Sequence, residues 1–344
     1  METEALIVSA FRGDLGKARQ GYIINVLDSV KALVELGLEV TVLGFGNSEP
    51  DIDANWDLIP IRGPRVSLYS LRARYELYKR LLRYKPRLLY VHHSPDFPSS
   101  LLLRRGEKRV LHLHDLLSDV AARMYGLMST FLYILYAYDE AISAKFADLA
   151  IAPSEEMCEI LQRLGYKRTA VAYNRPGPVE PKESELADLI KSLKRPVIVY
   201  AGTVQRGVRG IEELYKIAKV LGGTLVTIGK KETELPKDVV YHPPVPRNEL
   251  IGAIRYADFG AIGKTIPYAL PAKIFDYLYA ELPIITHADN RAIVRLLRRY
   301  ERPYIAYRNP NEVELRPLER KKFPSDIKSR KECIKEAVSK ILFR

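Results

Sequence analysis

The stretch 5-ALIVSAFRGDLGKARQGYIINVLDSVKALVELGLEVTVLG-44 decides the fold. It opens with a short apolar run, continues through a glycine-containing loop, and then shows apolar residues at helical spacing up to a terminating Gly37. A second apolar run, Glu39–Gly44, follows directly. A strand, a loop, a helix and a strand in this order form a βαβ unit, so the stretch predicts a parallel sheet with helices on its faces.

The same alternation of strands and helices continues along the chain, with long helical material at 121–147 and one interruption. Residues 174–182 contain three prolines and a glycine, a composition that suits a linker. We therefore predict an α/β protein with a Rossmann-like N-terminal domain at 1–176 and a Rossmann-like C-terminal domain at 177–324. A final amphipathic helix at 325–344 is expected to pack back toward the first domain.

The composition is that of a globular protein with more than one core. The chain has 344 residues, of which 47% are hydrophobic and 28% charged. Its two cysteines, Cys158 and Cys333, are far apart and have no metal-ligand neighbours, which indicates neither a disulfide framework nor a zinc site. No signal peptide or spanning apolar segment is recognised, so we expect a cytoplasmic protein. The abundant charged residues suit a thermophile.

A net charge of +12 favours an anionic partner. Motifs of RNA or DNA recognition are missing from the sequence, so we expect no nucleic acid partner. Basic residues crowd the segment 72–87, and a tyrosine-rich apolar stretch begins at Met124. These features are typical of a peripheral contact with the inner face of an anionic membrane, while an ordinary solvated surface is the alternative.

The segment 271-PAKIFDYL-278 carries the clearest chemical signal. Proline at a helix start and a lysine in the first turn suit a phosphate site. Lys273 and Asp276 are three residues apart and share a helical face, so the lysine is placed to reach phosphate and the aspartate to accept from ribose hydroxyls. A surface ion pair on an ordinary helix is the alternative.

A glycine turn follows the predicted strand Val197–Ala201. Gly202 allows the backbone to approach a phosphate, and Thr203, Arg206 and Arg209 supply a hydroxyl and two cations. A tight turn with solvated arginines is the alternative. Asp51-Ile52-Asp53 imitates a metal-binding motif but lies in a polar turn, and we interpret it as solvated loop.

These two motifs resemble those of group 1 (family 4) glycosyltransferases of the GT-B fold. The family writes the helix as Pro-x-Lys-x-Phe-Glu-Tyr before a Pro-Val-Ile strand, and here Asp276 stands in place of the glutamate. The family's Lys-Gly pair corresponds to Arg209-Gly210. The resemblance implies two Rossmann-like domains facing across a cleft, a UDP- or GDP-linked sugar donor, retention of anomeric configuration, and neither a metal nor another cofactor.

The resemblance also implies which residues act. It assigns catalysis to His114, Arg209 and Lys273, while His92 and His93 have no such support. The implied nucleotide-binding residues are Gly202, Thr203, Arg206, Arg209, Val245, Lys273 and Asp276. The implied acceptor and phosphate loop contains Gly13, Gly16 and Arg19.

One departure from the family bears on the donor sugar. Tyr268 stands eight residues before Asp276, where the family often has a first glutamate. The sequence thus predicts transfer of a sugar from a nucleotide sugar to a glycan or lipid-linked acceptor. A nucleotide-sugar epimerase, which needs no acceptor, and a catalytically silent binding protein of the same fold are the alternatives.

Overall fold

The computed structural model describes residues 1–10, 14–15, 21–61, 68–123, 127–205, 210–315 and 318–343. The chain forms two compact units, one of Met1–Tyr173 with Ser329–Arg344 and the other of Asn174–Lys328. Each contains one parallel sheet with helices on its faces, and these two doubly wound α/β units confirm the predicted fold class.

The first unit is built on seven parallel strands in the order β3-β2-β1-β4-β5-β6-β7. The strands are β1 (Glu2–Ser9), β2 (Val40–Phe45), β3 (Asn55–Ile59), β4 (Lys85–His92), β5 (Lys108–His112), β6 (Leu149–Ala152) and β7 (Thr169–Val171). Residues 5–8 of β1 are fully buried, because helices cover both faces of an inner parallel strand.

Helices connect these strands. They are α1 (Gly21–Val34), α2 (Leu68–Leu81), α3 (Ser99–Leu102), α4 (Leu117–Ala122), α5 (Leu127–Phe146) and α6 (Glu155–Arg163). The helical material predicted at 121–147 is thus divided between α4 and α5. In the described part of the chain, every helix is too short or too polar to cross a bilayer.

The second unit contains six parallel strands in the order β10-β9-β8-β11-β12-β13. The strands are β8 (Val197–Ala201), β9 (Thr224–Ile228), β10 (Val240–His242), β11 (Phe259–Ile262), β12 (Ile284–His287) and β13 (Tyr304–Tyr307). The helices are α7 (Glu185–Ser192), α8 (Ile211–Val220), α9 (Arg247–Ile254), α10 (Lys273–Tyr279) and α11 (Arg291–Arg299), with a 3-10 turn at Pro310–Glu312. β8 lies in the middle of the sheet, as expected of a doubly wound unit.

The last helix, α12 (Arg330–Leu342), belongs to the first unit although it follows the second in sequence. Ser329 and Glu332 form a capping box that begins it. Its buried residues Ile334 and Val338 join the hydrophobic core of the first unit, next to Ile23 on α1. The Arg330 guanidinium, almost fully buried, pairs with Asp28 on α1 at 2.8 Å.

Candidate functional site

Lys273 lies against the glycine turn that follows β8. Gly202 has a φ of +135°, a conformation that L side chains rarely adopt, and a Cβ built on it would lie 2.9 Å from the Lys273 Nζ. The Nζ also lies 3.6 Å from the centroid of the Tyr200 ring, a cation–π contact. Two residues predicted from separate motifs are therefore brought together at the carboxyl end of the central strand.

Tyr277 fixes α10 at this edge of the sheet. Its hydroxyl accepts from the Ala201 N–H at 2.9 Å and donates to the Ala261 carbonyl at 3.2 Å. The ring fits because residue 260 is glycine, where a Cβ would lie 2.4 Å from a ring carbon. A fully buried tyrosine thus joins the ends of β8 and β11 to the helix that carries Lys273.

Asp276 is buried on the same helix and pairs with an arginine that the sequence did not suggest. The Arg247 Nε donates to Asp276 Oδ1 at 2.6 Å. Burial raises the pKa of Asp276, and the charge and hydrogen bond of Arg247 lower it. Val245, half-buried, lies two residues before Arg247. The alternative drawn from the sequence, a surface ion pair between Lys273 and Asp276, is not observed, because Asp276 pairs with Arg247 of α9.

The loop after β11 is organised by Asn290. Its side-chain amide nitrogen donates to the Gly263 carbonyl at 2.8 Å, and its amide oxygen accepts from the Thr265 N–H at 2.8 Å. A Cβ on Gly210 would lie 2.8 Å from the Lys264 backbone nitrogen, so the loop touches the start of α8. Tyr268, which replaces the family's first glutamate, is buried.

Several predicted residues lie outside the described part of the chain. They are Arg206 and Arg209 of the C-terminal phosphate loop and Gly13, Gly16 and Arg19 of the N-terminal loop. Their roles stay predictions. Thr203 is described, and its carbonyl accepts a hydrogen bond from the Tyr200 hydroxyl at 3.0 Å.

His114 belongs to a chain of hydrogen bonds at the carboxyl ends of β4 and β5. The Asn25 amide nitrogen donates to His114 Nδ1 at 2.8 Å, and His114 Nε2 lies 3.0 Å from His92 Nδ1. Because an amide nitrogen only donates, neutral His114 carries its proton on Nε2 and donates it to His92. The structure thus gives His92, which sequence reasoning set aside, a direct part in orienting His114.

His112 lies against both rings and completes a group that we call the histidine cluster, formed by His92, His112 and His114. Its ligand nitrogens lie within 4.8 Å of one another, and among the described residues it is the group whose geometry could hold a metal ion. Burial lowers the pKa of His92 to about 3, and burial with the neighbouring rings lowers the pKa of the other two well below the usual value. The rings are therefore neutral at physiological pH. A metal-free reaction stays a prediction.

Residues 25–175 match the model of the family described as Glycosyltransferase Family 4. No curated protein matches the chain in sequence.

Solved structures of similar fold cover nearly the whole chain. One is sucrose-phosphate synthase from Thermosynechococcus elongatus, with 15% identity, a TM-score of 0.61, and coverage of 99% of this chain and 90% of that chain. Another is Anabaena HepE in complex with UDP and glucose, with 14% identity, a TM-score of 0.58, and coverage of 90% and 87%. WaaG, described as a glycosyltransferase involved in lipopolysaccharide biosynthesis, has 12% identity, a TM-score of 0.54, and coverage of 99% and 90%. At such identities the likeness shows the fold.

Proposed function

We propose that this chain is a glycosyltransferase of the GT-B fold and moves a hexose from a nucleoside diphosphate sugar to a glycan or lipid-linked acceptor. The match of residues 25–175 to the family 4 model supports this proposal. The observation that carries the donor half is the ammonium of Lys273 beside the turn at Gly202. This turn follows the central strand of a doubly wound sheet, at the edge where such sheets bind ligands. A fixed cation beside backbone that lacks a Cβ is suited to a diphosphate.

The proposed chemistry follows from the leaving group. Breaking the bond between the sugar and the diphosphate places negative charge on the departing phosphate, and a preorganised cation stabilises that charge most where it develops. Lys273 supplies such a cation, and Asp276 supplies an acceptor for ribose hydroxyls one helical turn away. The proposal includes a transfer that needs no metal and retains configuration, with UDP or GDP as the nucleotide. The UDP and glucose held by HepE support a uridine donor.

The acceptor side of the reaction is assigned to the first unit. His114 is proposed to contact the transferred sugar. Its ring is neutral, and a sugar hydroxyl would take the place of His92 as the acceptor of the Nε2 proton. The bond from Asn25 fixes which nitrogen carries the proton.

A binding screen followed by product analysis tests this function. Thermal unfolding is measured with UDP, GDP, ADP and their sugars, since a ligand that binds the folded state raises the apparent stability. We expect UDP or GDP compounds to raise it. The donor that binds is then incubated without an acceptor, where an epimerase would isomerise the sugar and a transferase would leave it unchanged. A protein that none of these nucleotides stabilises would contradict the proposal.

The first unit exposes an apolar face that bears on the acceptor. Phe131, Ile134, Leu135 and Tyr138, which we call the α5 stripe, are between 46% and 68% exposed. Their spacing of i, i+3, i+4 and i+7 places them on one face of α5, and no charged residue occurs from 127 to 138. Faces of this kind are normally buried, so their exposure indicates an interaction surface.

Exposed cations lie on α2, which touches the same segment of the first unit as α5. Arg72, Lys79 and Arg83 are exposed on α2 and just after it. Both helices contact the segment 95–97, because Tyr78 of α2 stacks on Phe97 and Tyr136 of α5 donates to the Pro95 carbonyl at 3.4 Å. An exposed apolar stripe and exposed cations on two helices of one unit are features of proteins that bind the boundary of an anionic bilayer. We therefore propose a peripheral contact with the inner membrane face and a lipid-linked acceptor.

Vesicle sedimentation tests the membrane contact. The variant Phe131→Ser/Ile134→Ser should bind anionic phosphatidylglycerol vesicles about 10-fold or more weakly, because each large side chain contributes about 1.5–3 kcal/mol when it leaves water. Val220→Ser removes an exposed apolar side chain from the second unit and serves as the control. Wild-type protein that stays in solution with these vesicles at low salt would refute the contact.

A further inference from the structure

Arg247 at the start of α9 is held from three directions. Its Nε donates to Asp276 Oδ1 at 2.6 Å, and its Nη1 donates to the Gly177 carbonyl. The guanidinium carbon lies 5.3 Å from the centroid of the Tyr279 ring, and that ring is itself stacked on Phe323 with centroids 4.1 Å apart. These contacts fix one orientation of the guanidinium plane.

The ion pair between Arg247 and Asp276 contains only one of the two hydrogen bonds that such a pair can form. An arginine presents Nε and Nη2 as a fork that matches both oxygens of a carboxylate. Here Nε is paired, while Nη2 is buried and has no hydrogen-bond partner in the part of the chain that the structure describes. A buried charged donor without an acceptor is costly. The second carboxylate oxygen of Asp276 is thus not used by Arg247 and is left for another donor.

A hydroxyl group fits this requirement. It donates its proton to a carboxylate oxygen and at the same time accepts from a neighbouring N–H. The side chains of Arg247 and Asp276 are 24% and 12% exposed, so the pair reaches the surface of the second unit. A phosphate would be repelled by the carboxylate, whereas a hydroxyl can donate to it.

We propose that Arg247 is a positioning residue for ribose recognition, because it holds the Asp276 carboxylate so that its second oxygen accepts a ribose hydroxyl of the nucleotide. This inference rests on the proposed nucleoside diphosphate donor. Lys273 is one helical turn away from Asp276, and in a nucleoside diphosphate the ribose adjoins the phosphates. Aspartate is one methylene shorter than the family's glutamate, so it reaches less far and its direction matters more.

The charge of Arg247 supports the same role. Burial alone would favour the protonated form of Asp276, which offers fewer acceptor sites than the carboxylate. The adjacent guanidinium opposes this and lowers the pKa of Asp276, which favours the ionised acceptor. Arg247 thereby sets both the direction and the charge of the group that meets the ribose.

The test compares ribose with deoxyribose. Dissociation constants for UDP, GDP and their 2′-deoxy and 3′-deoxy analogues are measured by calorimetry on wild type, Arg247→Ala and Arg247→Lys. Wild type should prefer the ribonucleotide over one deoxy analogue by about 10-fold or more, the scale of a hydrogen bond to a charged group. In Arg247→Ala the ribonucleotide should lose most of that preference while the deoxy analogue changes little. Arg247→Lys keeps the charge without the fork and should fall between them.

Two further variants separate positioning from general damage. Arg255→Ala removes the arginine that follows α9, which pairs with Glu183, and should leave the preference intact. Asp276→Asn should abolish the preference, and adding Arg247→Ala to it should cause no further loss. Equal weakening of all nucleotides in Arg247→Ala would overturn the inference. Wild type that binds nucleotides without ribose preference would overturn it and leave the donor proposal standing, whereas no binding at all would overturn both.

Discussion

Replacing Gly202 with alanine separates the strain in the glycine turn from its contact with Lys273. The φ of +135° is a region that only glycine occupies readily, so the substitution should lower the free energy of unfolding by about 1–3 kcal/mol. The added Cβ would also lie 2.9 Å from the Lys273 Nζ, and the flexible lysine is the group that must move. We therefore expect a second effect, on turnover.

The size of the second effect follows from the role of the ammonium. Removing one preorganised charge partner of a transition state lowers turnover by about 10²-fold or more. Gly222→Ala is the matched control, since Gly222 also has a positive φ, +64°, but a Cβ there would meet nothing within 4 Å. Both variants should be less stable than wild type, and only Gly202→Ala should lose turnover.

Two measurements test the two effects expected of Gly202→Ala. Urea unfolding gives the stability of each variant, and initial rates with the donor found in the binding screen give the turnover. Rates are compared at a temperature where all three proteins are folded. If Gly202→Ala turns over its donor as fast as Gly222→Ala, the placement of Lys273 beside the turn has no part in catalysis.

Three further predictions concern other parts of the site. Lys273→Ala should lower turnover about 10²-fold in initial-rate assays, whereas Lys219→Ala, which removes an exposed lysine of α8, should leave it unchanged. Tyr277→Phe should cost about 1–3 kcal/mol in urea unfolding, because the buried Ala201 N–H loses its acceptor; an unchanged midpoint would contradict the bridging role. Acid should destabilise the first unit, because the histidines of the cluster have lowered pKa values. The unfolded chain therefore binds protons at pH values where the folded chain does not. The contribution of the neutral histidines to the free energy of unfolding is complete above pH 6.5, the ordinary histidine pKa. At lower pH it decreases by about 1.4 kcal/mol per histidine for each pH unit, which urea unfolding at pH 7.5 and 5.5 measures.

The regular elements of the fold could be predicted because their signals are local. The strand Val197–Ala201 has the predicted bounds, since an apolar run ends there at a glycine. Helix α11 was not predicted, although Ile293 and Leu297 show helical spacing, because the arginines around them obscured the pattern. The short edge strand β13 was also missed, since its alternation covers only four residues.

The candidate site was predictable only where a motif carries it. Lys273 was found from its place in a helix pattern and Gly202 from its place after a strand. Arg247 and Tyr277 were not found, because their partners lie 29 and 76 residues away in sequence and only the packed unit brings them together. His92 was set aside for the same reason, as its bond to His114 crosses from β4 to the end of β5.

The position of α12 has a consequence for biosynthesis. The core of the first unit is complete only when Ile334, Val338 and Ile341 are in place, and these leave the ribosome after every residue of the second unit. The second unit is one continuous segment, Asn174–Lys328, and all its strands emerge earlier. During translation the second unit therefore has all its residues and can fold first. Until α12 is made, the first unit keeps part of its apolar surface uncovered, and in this state a nascent chain can be bound by chaperones.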